Sequence, residues 1–175
     1  NFHELIEASI KHLRGKKFEL FPDFQTGGMI DVTDYNKGKR GGKVKVRAHI
    51  EELDKKTLVI RSVPYAVTTS QLMDSIVKAN DQGKIKIKKV TDNTAADVEI
   101  QIDLAPGISP DITIDALYKF TDCEISISPN ACVIVAMKPQ FMDVNDLLRF
   151  SAEHTQSLLK KELEIKLGEL QEKWH

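Results

Sequence analysis

From Val144 onward, Leu148, Thr155, Leu159, Leu163, Leu167, Leu170 and Trp174 recur mostly at three- and four-residue steps. That is the spacing of one face of an α-helix. Asp143 stands just before them as a cap for the first turn. A helix of about 30 residues would extend roughly 45–50 Å at about 1.5 Å per residue. A domain built from 175 residues needs no core helix of that length, so the run predicts an arm that packs on another helix. Glu162 with Lys166 and Glu169 with Lys173 are spaced four apart on its solvent side, each pair worth about 0.2–0.5 kcal/mol. Gly168 weakens the pattern near the end.

The residues before the arm alternate between helical and strand patterns. Asn1 and Glu4 resemble a cap and its reciprocal acid. Leu5, Ile6, Ile10 and Leu13 predict an apolar helical stripe that Gly15 ends. Pro22 to Gly28 is turn chemistry, followed by the short apolar step of Met29 and Ile30. Strands are predicted from Lys43 and over Thr57 to Val63, joined at Asp54-Lys55-Lys56. Thr68 or Thr69 caps a helix with Leu72, Ile76, Val77 and Ala79 on its apolar face, ending between Asn80 and Gly83. A lysine row (Lys84, Lys86, Lys88) then precedes an acidic strand in which Val98, Ile100, Ile102 and Leu104 alternate with Glu99, Gln101 and Asp103. As hairpin partners these two would set opposite charges face to face, which favours a structural role for that lysine row. Asp111 is the predicted cap of a helix reaching Phe120, and Ala131 to Met137 reads as a buried strand. Strands and helices in this order make an α+β module with a mixed or antiparallel sheet.

One stretch stands out from a nearly neutral chain of net charge -1. Tyr35 to Arg47 holds Lys37, Lys39, Arg40, Lys43, Lys45 and Arg47 and no acid, with Gly38, Gly41 and Gly42 among the first of them. From Lys43 the basic residues alternate with Val44, Val46, Ala48 and Ile50. Successive strand side chains point to opposite faces, so this is a basic loop entering a strand with a basic outer face. Such a surface suits a polyanion, with nucleic-acid phosphate first. A solvated strand whose lysines pair with acidic neighbours fits the pattern equally well.

Other chemistry is missing. GKRGGK does not fit the P-loop GxxxxGK[ST], no GxSxG occurs, and no compact carboxylate cluster suggests metal-ion catalysis. The five histidines show no ligand spacing. Cys123 and Cys132 make no CxxC pair. Cys132, within the apolar run ACVIVAM, reads as a free buried thiol in a reducing compartment. No apolar run reaches the length of a membrane span and no signal pattern opens the chain. Because the chain starts at Asn1 rather than Met, it is expected to be an excised piece of something longer.

Four motifs, in order, resemble one family. PDFQTGG is similar to PDFPTGG; YNKGKRGGKVKVRA to Y-x-T-G-R-G-x-V-x-x-R-A; IRSVPYAVTTSQLMDSI to I-x-E-I-P-Y-Q-V-N-K-x-x-L-I-x-x-I. ALYKFTDCEISISPNACVIV is similar to L-Y-x-x-T-x-L-Q-x-x-F-x-x-N-x-x-A-L. These belong to the A subunits of bacterial type IIA topoisomerases, and the likeness covers nearly all of the chain. Departures at KGKRGG, EISIS, Ala66 and Thr68 or Thr69 favour topoisomerase IV over gyrase.

The resemblance implies three segments: 1–18, a helix continuing from an upstream domain; 19–141, an α+β tower domain; and 142–175, the first helix of a coiled-coil arm. It implies an ATP-dependent isomerase that breaks both strands of a duplex through tyrosyl esters and passes a second duplex through. Two A subunits pair as a homodimer and join two ATPase B subunits, which hold the ATP and magnesium, in the cytoplasm on the chromosome. Tyr35, Tyr65 and Tyr118 match tyrosines of the GRG, PYQ and LY motifs, none of them the nucleophile. No catalytic residue, metal ligand or cofactor is then expected within these residues. The implied role is double-stranded DNA binding through Lys37, Lys39, Arg40, Lys43, Lys45 and Arg47, or a purely structural support.

Overall fold

The computed structural model describes residues 1–174, and the chain divides into two compact units, one of residues 1–22, 35–42 and 129–175 and the other of 23–34 and 43–128. The second unit contains most of the sheet. Strand β2, Val44–Arg47, lies between β1, Met29–Asp31, and β7, Glu124–Ile127, antiparallel to both. Its buried residues are Val44 and Val46 and its exposed ones Lys45 and Arg47, as the alternation predicts. A second antiparallel sheet has the order β3-β4-β6-β5, made of Ile50–Asp54, Thr57–Ile60, Ile100–Leu104 and Ile87–Asp92.

Two helices cover that sheet. Helix α2, Thr69–Asp81, opens with a full capping box: the Gln71 N–H donates to Thr68 Oγ1 at 3.2 Å and the Thr68 N–H donates to Gln71 Oε1 at 3.0 Å. Helix α3 spans Pro110–Phe120. Leu72, Ile76 and Ala79 of α2 and Leu117 of α3 pack with Leu58, Ile60, Ile100, Ile102 and Leu104 of the sheet. Burial of each large side chain contributes roughly 1.5–3 kcal/mol of transfer free energy, so this face is where the unit is held together.

The first unit contains helix α1, Phe2–Leu13, a hairpin of β8, Cys132–Val135, with β9, Lys138–Phe141, and helix α4, Val144–Trp174, of 31 residues. Asn1 caps α1 through its side chain, and Gly15, at φ 68°, follows its end by donating its N–H to His12 O at 2.9 Å. Asp143 caps α4, its Oδ1 accepting from the Asp146 N–H at 2.7 Å. The Glu162–Lys166 pair forms, at 2.7 Å. Helix α1 packs on α4, where His12 pairs with Glu153 at 2.9 Å. Leu159, Leu163, Leu167, Leu170 and Trp174 of α4 are all exposed.

Several local expectations fail for identifiable reasons. The lysine segment and the acidic strand do pair, β5 running antiparallel to β6, but the facing residues differ from those expected: Lys84 and Lys86 precede β5, and a register shift between Ile87 and Lys89 sets Lys89 opposite Asp103. Ala131 to Met137 is not a buried strand but half of the exposed β8–β9 hairpin, with Ile134 78% and Met137 94% exposed. Residues Ala136 and Met137 turn the chain at positive φ, a left-handed step that apolar composition does not signal. Cys132 is therefore exposed, and Cys123 is the buried thiol. The stripe of Leu5, Ile6, Ile10 and Leu13 is exposed, while Ala8 of α1 is buried. Ser109, not Asp111, occupies the cap position of α3, because Pro110 takes the first helical position that suits its missing N–H. Val77 is exposed and the second predicted strand stops at Ile60.

Candidate nucleic-acid interface

The basic stretch divides into a strand and a loop. In the second unit, the Asp34 carbonyl accepts from the Lys43 N–H at 2.8 Å where the strand begins. Beyond it, Lys43, Lys45 and Arg47 are exposed while Val44, Val46 and Ala48 are buried. The strand thus holds its basic side chains in water because the opposite row is fixed in the core.

These cations are not equivalent. Arg47 Nε donates to Glu124 Oε2 at 2.5 Å, and its guanidinium lies 4.7 Å from the centroid of the Tyr118 ring. The hydrogen bond to Glu124, together with that residue's charge, holds Arg47 above the usual guanidinium pKa. Lys43 and Lys45 make no ion pair among the described residues. Asp31 lies opposite Lys45 in the β1–β2 register. Its carboxyl is held below the usual range, first by hydrogen bonds from Thr33 and then by the charges of Lys45 and Arg47.

In the first unit the loop 35–42 is tightly constrained. Asn36 and Lys37 lie at φ 49° and 52°, left-handed values that asparagine tolerates and that cost a lysine about 1–2 kcal/mol. Gly42 is a steric requirement: a Cβ there would sit 2.3 Å from Tyr35 O. Gly38, at φ 78°, backs against Val144 Cγ1 of α4, 2.9 Å from where a Cβ would be, and its carbonyl accepts from the Ala131 N–H at 3.0 Å. Lys39 Nζ lies 3.8 Å from Asp143 Oδ2, while Lys37 and Arg40 are exposed and make no ion pair among the described residues. Within the described residues, then, Arg47 and Lys39 make ion pairs with acids, while Lys37, Arg40, Lys43 and Lys45 make none, Lys45 having only the cross-strand charge of Asp31 nearby.

The tyrosines are engaged within the fold, Tyr65 while half exposed. Tyr118 donates its hydroxyl to Ala48 O at 2.9 Å, Tyr35 is buried, and Tyr65 stacks on Phe24 with centroids 4.8 Å apart. Burial pushes the Tyr35 and Tyr118 phenols above their ordinary pKa, the opposite of an activated nucleophile. Among the described residues no three His, Cys, Asp or Glu side chains gather as a metal site, and no helix is long and apolar enough to cross a membrane. The partners Glu124 and Asp143 carry no signal in the sequence that would mark them as such. The Arg47–Glu124 pair depends on a strand, β7, whose EISI residues alternate too briefly to be recognised.

The family model for the A subunit of DNA gyrase/topoisomerase IV matches residues 1–175. The A subunit of DNA topoisomerase 4 from Borreliella burgdorferi is 41% identical over 173 residues, covering 99% of this chain and 27% of that protein. The A subunit of DNA gyrase from Lawsonia intracellularis is 31% identical over 163 residues, covering 88% of this chain and 20% of its own length. Its counterpart from Chlamydia pneumoniae is 26% identical over 193 residues, covering 100% and 23%. The chain thus spans between 20% and 27% of the length of these curated relatives.

Proposed function

Because this chain belongs to the family of DNA gyrase and topoisomerase IV A subunits, we propose that it is the DNA-gripping tower portion of such a protein. Its task is to hold the phosphates of a duplex near the break, without reading bases. The observation that carries this is the set of unpaired cations, Lys37, Arg40, Lys43 and Lys45, exposed on a constrained loop and on a strand whose opposite side is buried. Phosphate contacts of this kind position a duplex and make binding fall with salt. Alanine at all four positions tests the reading through the salt dependence of duplex binding.

On this reading the parent enzyme makes a transient double-strand break, passes a second duplex through it and relaxes or decatenates DNA. The tyrosine that does the chemistry lies outside these residues. ATP and magnesium belong to the B subunits, and the A subunits pair with each other and with B in the cytoplasm, on the chromosome. The long α4, with its exposed leucines, is the start of the arm through which the coiled coil is built. Residues 1–175 purified without the B partner neither cleave nor relax DNA. Topoisomerase IV is favoured over gyrase by the 41% identity to a topoisomerase 4 relative, compared with 31% to a gyrase relative.

A second reading, a scaffold that positions arm and catalytic domain without touching DNA, has its own support. Arg47 and Lys39 are cations whose acidic partners lie inside the chain. Equal DNA affinity of the parent enzyme with and without the four free cations would favour it.

A further inference from the structure

Lys39, in the basic loop, is joined to the first turn of the arm helix. Asp143 is 7% exposed, and its two oxygens are divided: Oδ1 accepts the Asp146 N–H at 2.7 Å, capping α4, and Oδ2 lies 3.8 Å from Lys39 Nζ. The Lys39 side chain is 53% exposed, so this is a loose pair with its cation half in water, although the carboxylate it leaves behind is nearly buried and loses its counter-charge. The connection is not only electrostatic. Gly38, next to Lys39, is wedged against Val144, the first residue of α4. The same turn holds Asn145, whose buried Oδ1 has no hydrogen-bond partner among the described residues.

We infer that Asp143 competes with DNA phosphate for Lys39, so that seating a duplex on the loop frees the first turn of the arm helix. This deepens the proposed function and rests on it. Asp143 is a positioning residue: it holds Lys39 on the protein until a stronger or more numerous set of anions takes it. A phosphate backbone is such a set, because each phosphate neutralised also releases condensed counterions. Lys37, on the near side of Gly38, is held at a left-handed φ of 52°, a conformation that the surrounding loop must enforce.

Asp143→Asn tests this without breaking the helix cap, since Asn caps as well as Asp. In the full enzyme, with A and B subunits both present, duplex affinity is measured against salt for the parent, Asp143→Asn, Lys39→Ala and the double variant. With Lys39 released, Asp143→Asn should tighten binding several-fold at low salt and steepen the log–log salt slope by up to about 0.9, the value of one phosphate contact. That gain should vanish in the Lys39→Ala background. If Asp143→Asn changes nothing while Lys39→Ala flattens the slope, Lys39 reaches phosphate without leaving Asp143 and the competition is refuted. If neither variant has an effect, the competition is equally refuted, yet the gripping role survives provided the Lys37, Arg40, Lys43 and Lys45 variant still flattens the slope.

Discussion

Arg47 and Glu124 face each other across β2 and β7, joined by a hydrogen bond of 2.5 Å from Nε to Oε2. Tyr118 completes the arrangement, its ring under the guanidinium and its hydroxyl bonded to Ala48 O. This cross-strand pair supports the register of the sheet that presents the basic row. Arg47→Ala should therefore destabilise the fold by about 1–2 kcal/mol, combining a cross-strand ion pair and a cation–π contact. Lys45→Ala, two residues away and without an ion pair, loses only the cross-strand charge of Asp31 and should stay within about 0.5 kcal/mol of the parent. Thermal unfolding of the two variants checks the contrast, and equal melting temperatures would mean that Arg47 is as free as Lys45.

Adjacent glycines of the PDFQTGG turn should respond differently to alanine. At Gly28, with φ 90°, a Cβ would lie 2.3 Å from Arg47 O, so both backbone strain and a clash with main chain oppose it. Gly27, at φ 70°, has nothing within 4 Å. Gly28→Ala should cost about 2–4 kcal/mol and Gly27→Ala about 1–2 kcal/mol. Chemical denaturation of each variant measures the difference; a larger loss at Gly27 would mean the turn is built differently.

Helix α4 carries a correctable weakness. Gly168 lies inside α4 with open space where a Cβ would go. Gly168→Ala should stabilise the helix by about 0.5–1 kcal/mol. Circular dichroism during heating would register this as a later loss of helicity, whereas an earlier loss would show that the glycine is needed for close packing.

The two thiols should react in opposite ways. Burial pushes Cys123 up to about 12, partly offset by a hydrogen bond with Thr121, while Cys132 is exposed on β8. The folded value exceeds the ordinary 9.0, so the native state keeps the thiol neutral, and this adds a loss of stability as pH rises from 9 toward 12. At a pH of about 8, below the ordinary thiol value, a thiol reagent should label Cys132 alone in the native protein and both cysteines in denaturant. Native labelling of Cys123 would contradict the packing of the sheet core.

Legibility in the sequence follows the length and regularity of each signal. Helix α4 is readable because its three- and four-residue period persists over 31 residues, and β2 because its alternation of valine with basic residues is unbroken. The capping box at Thr68 and Gln71 adds a local mechanism to the period of α2. Cys132 to Val135 misleads because an apolar run has the same composition whether buried or held out on a hairpin. The stripe of α1 is present as a pattern, but no pattern says whether a partner covers it. At the candidate interface, the exposed lysines can be read residue by residue. The partners of Arg47 and Lys39 cannot, since Glu124 lies 77 residues from Arg47 and Asp143 is further still from Lys39.

The central claim, that the free cations grip a duplex backbone, is tested most directly by salt. Lys37, Arg40, Lys43 and Lys45 are replaced together by alanine in the full-length protein, and duplex affinity of the assembled enzyme is followed from low to moderate ionic strength. Each lost phosphate contact should lower the log–log slope by about 0.9, giving a decrease of roughly 3–4 if all four contact DNA. A clear flattening with unchanged thermal stability is the predicted result. A slope identical to that of the parent would contradict it and leave these residues as a solvated support.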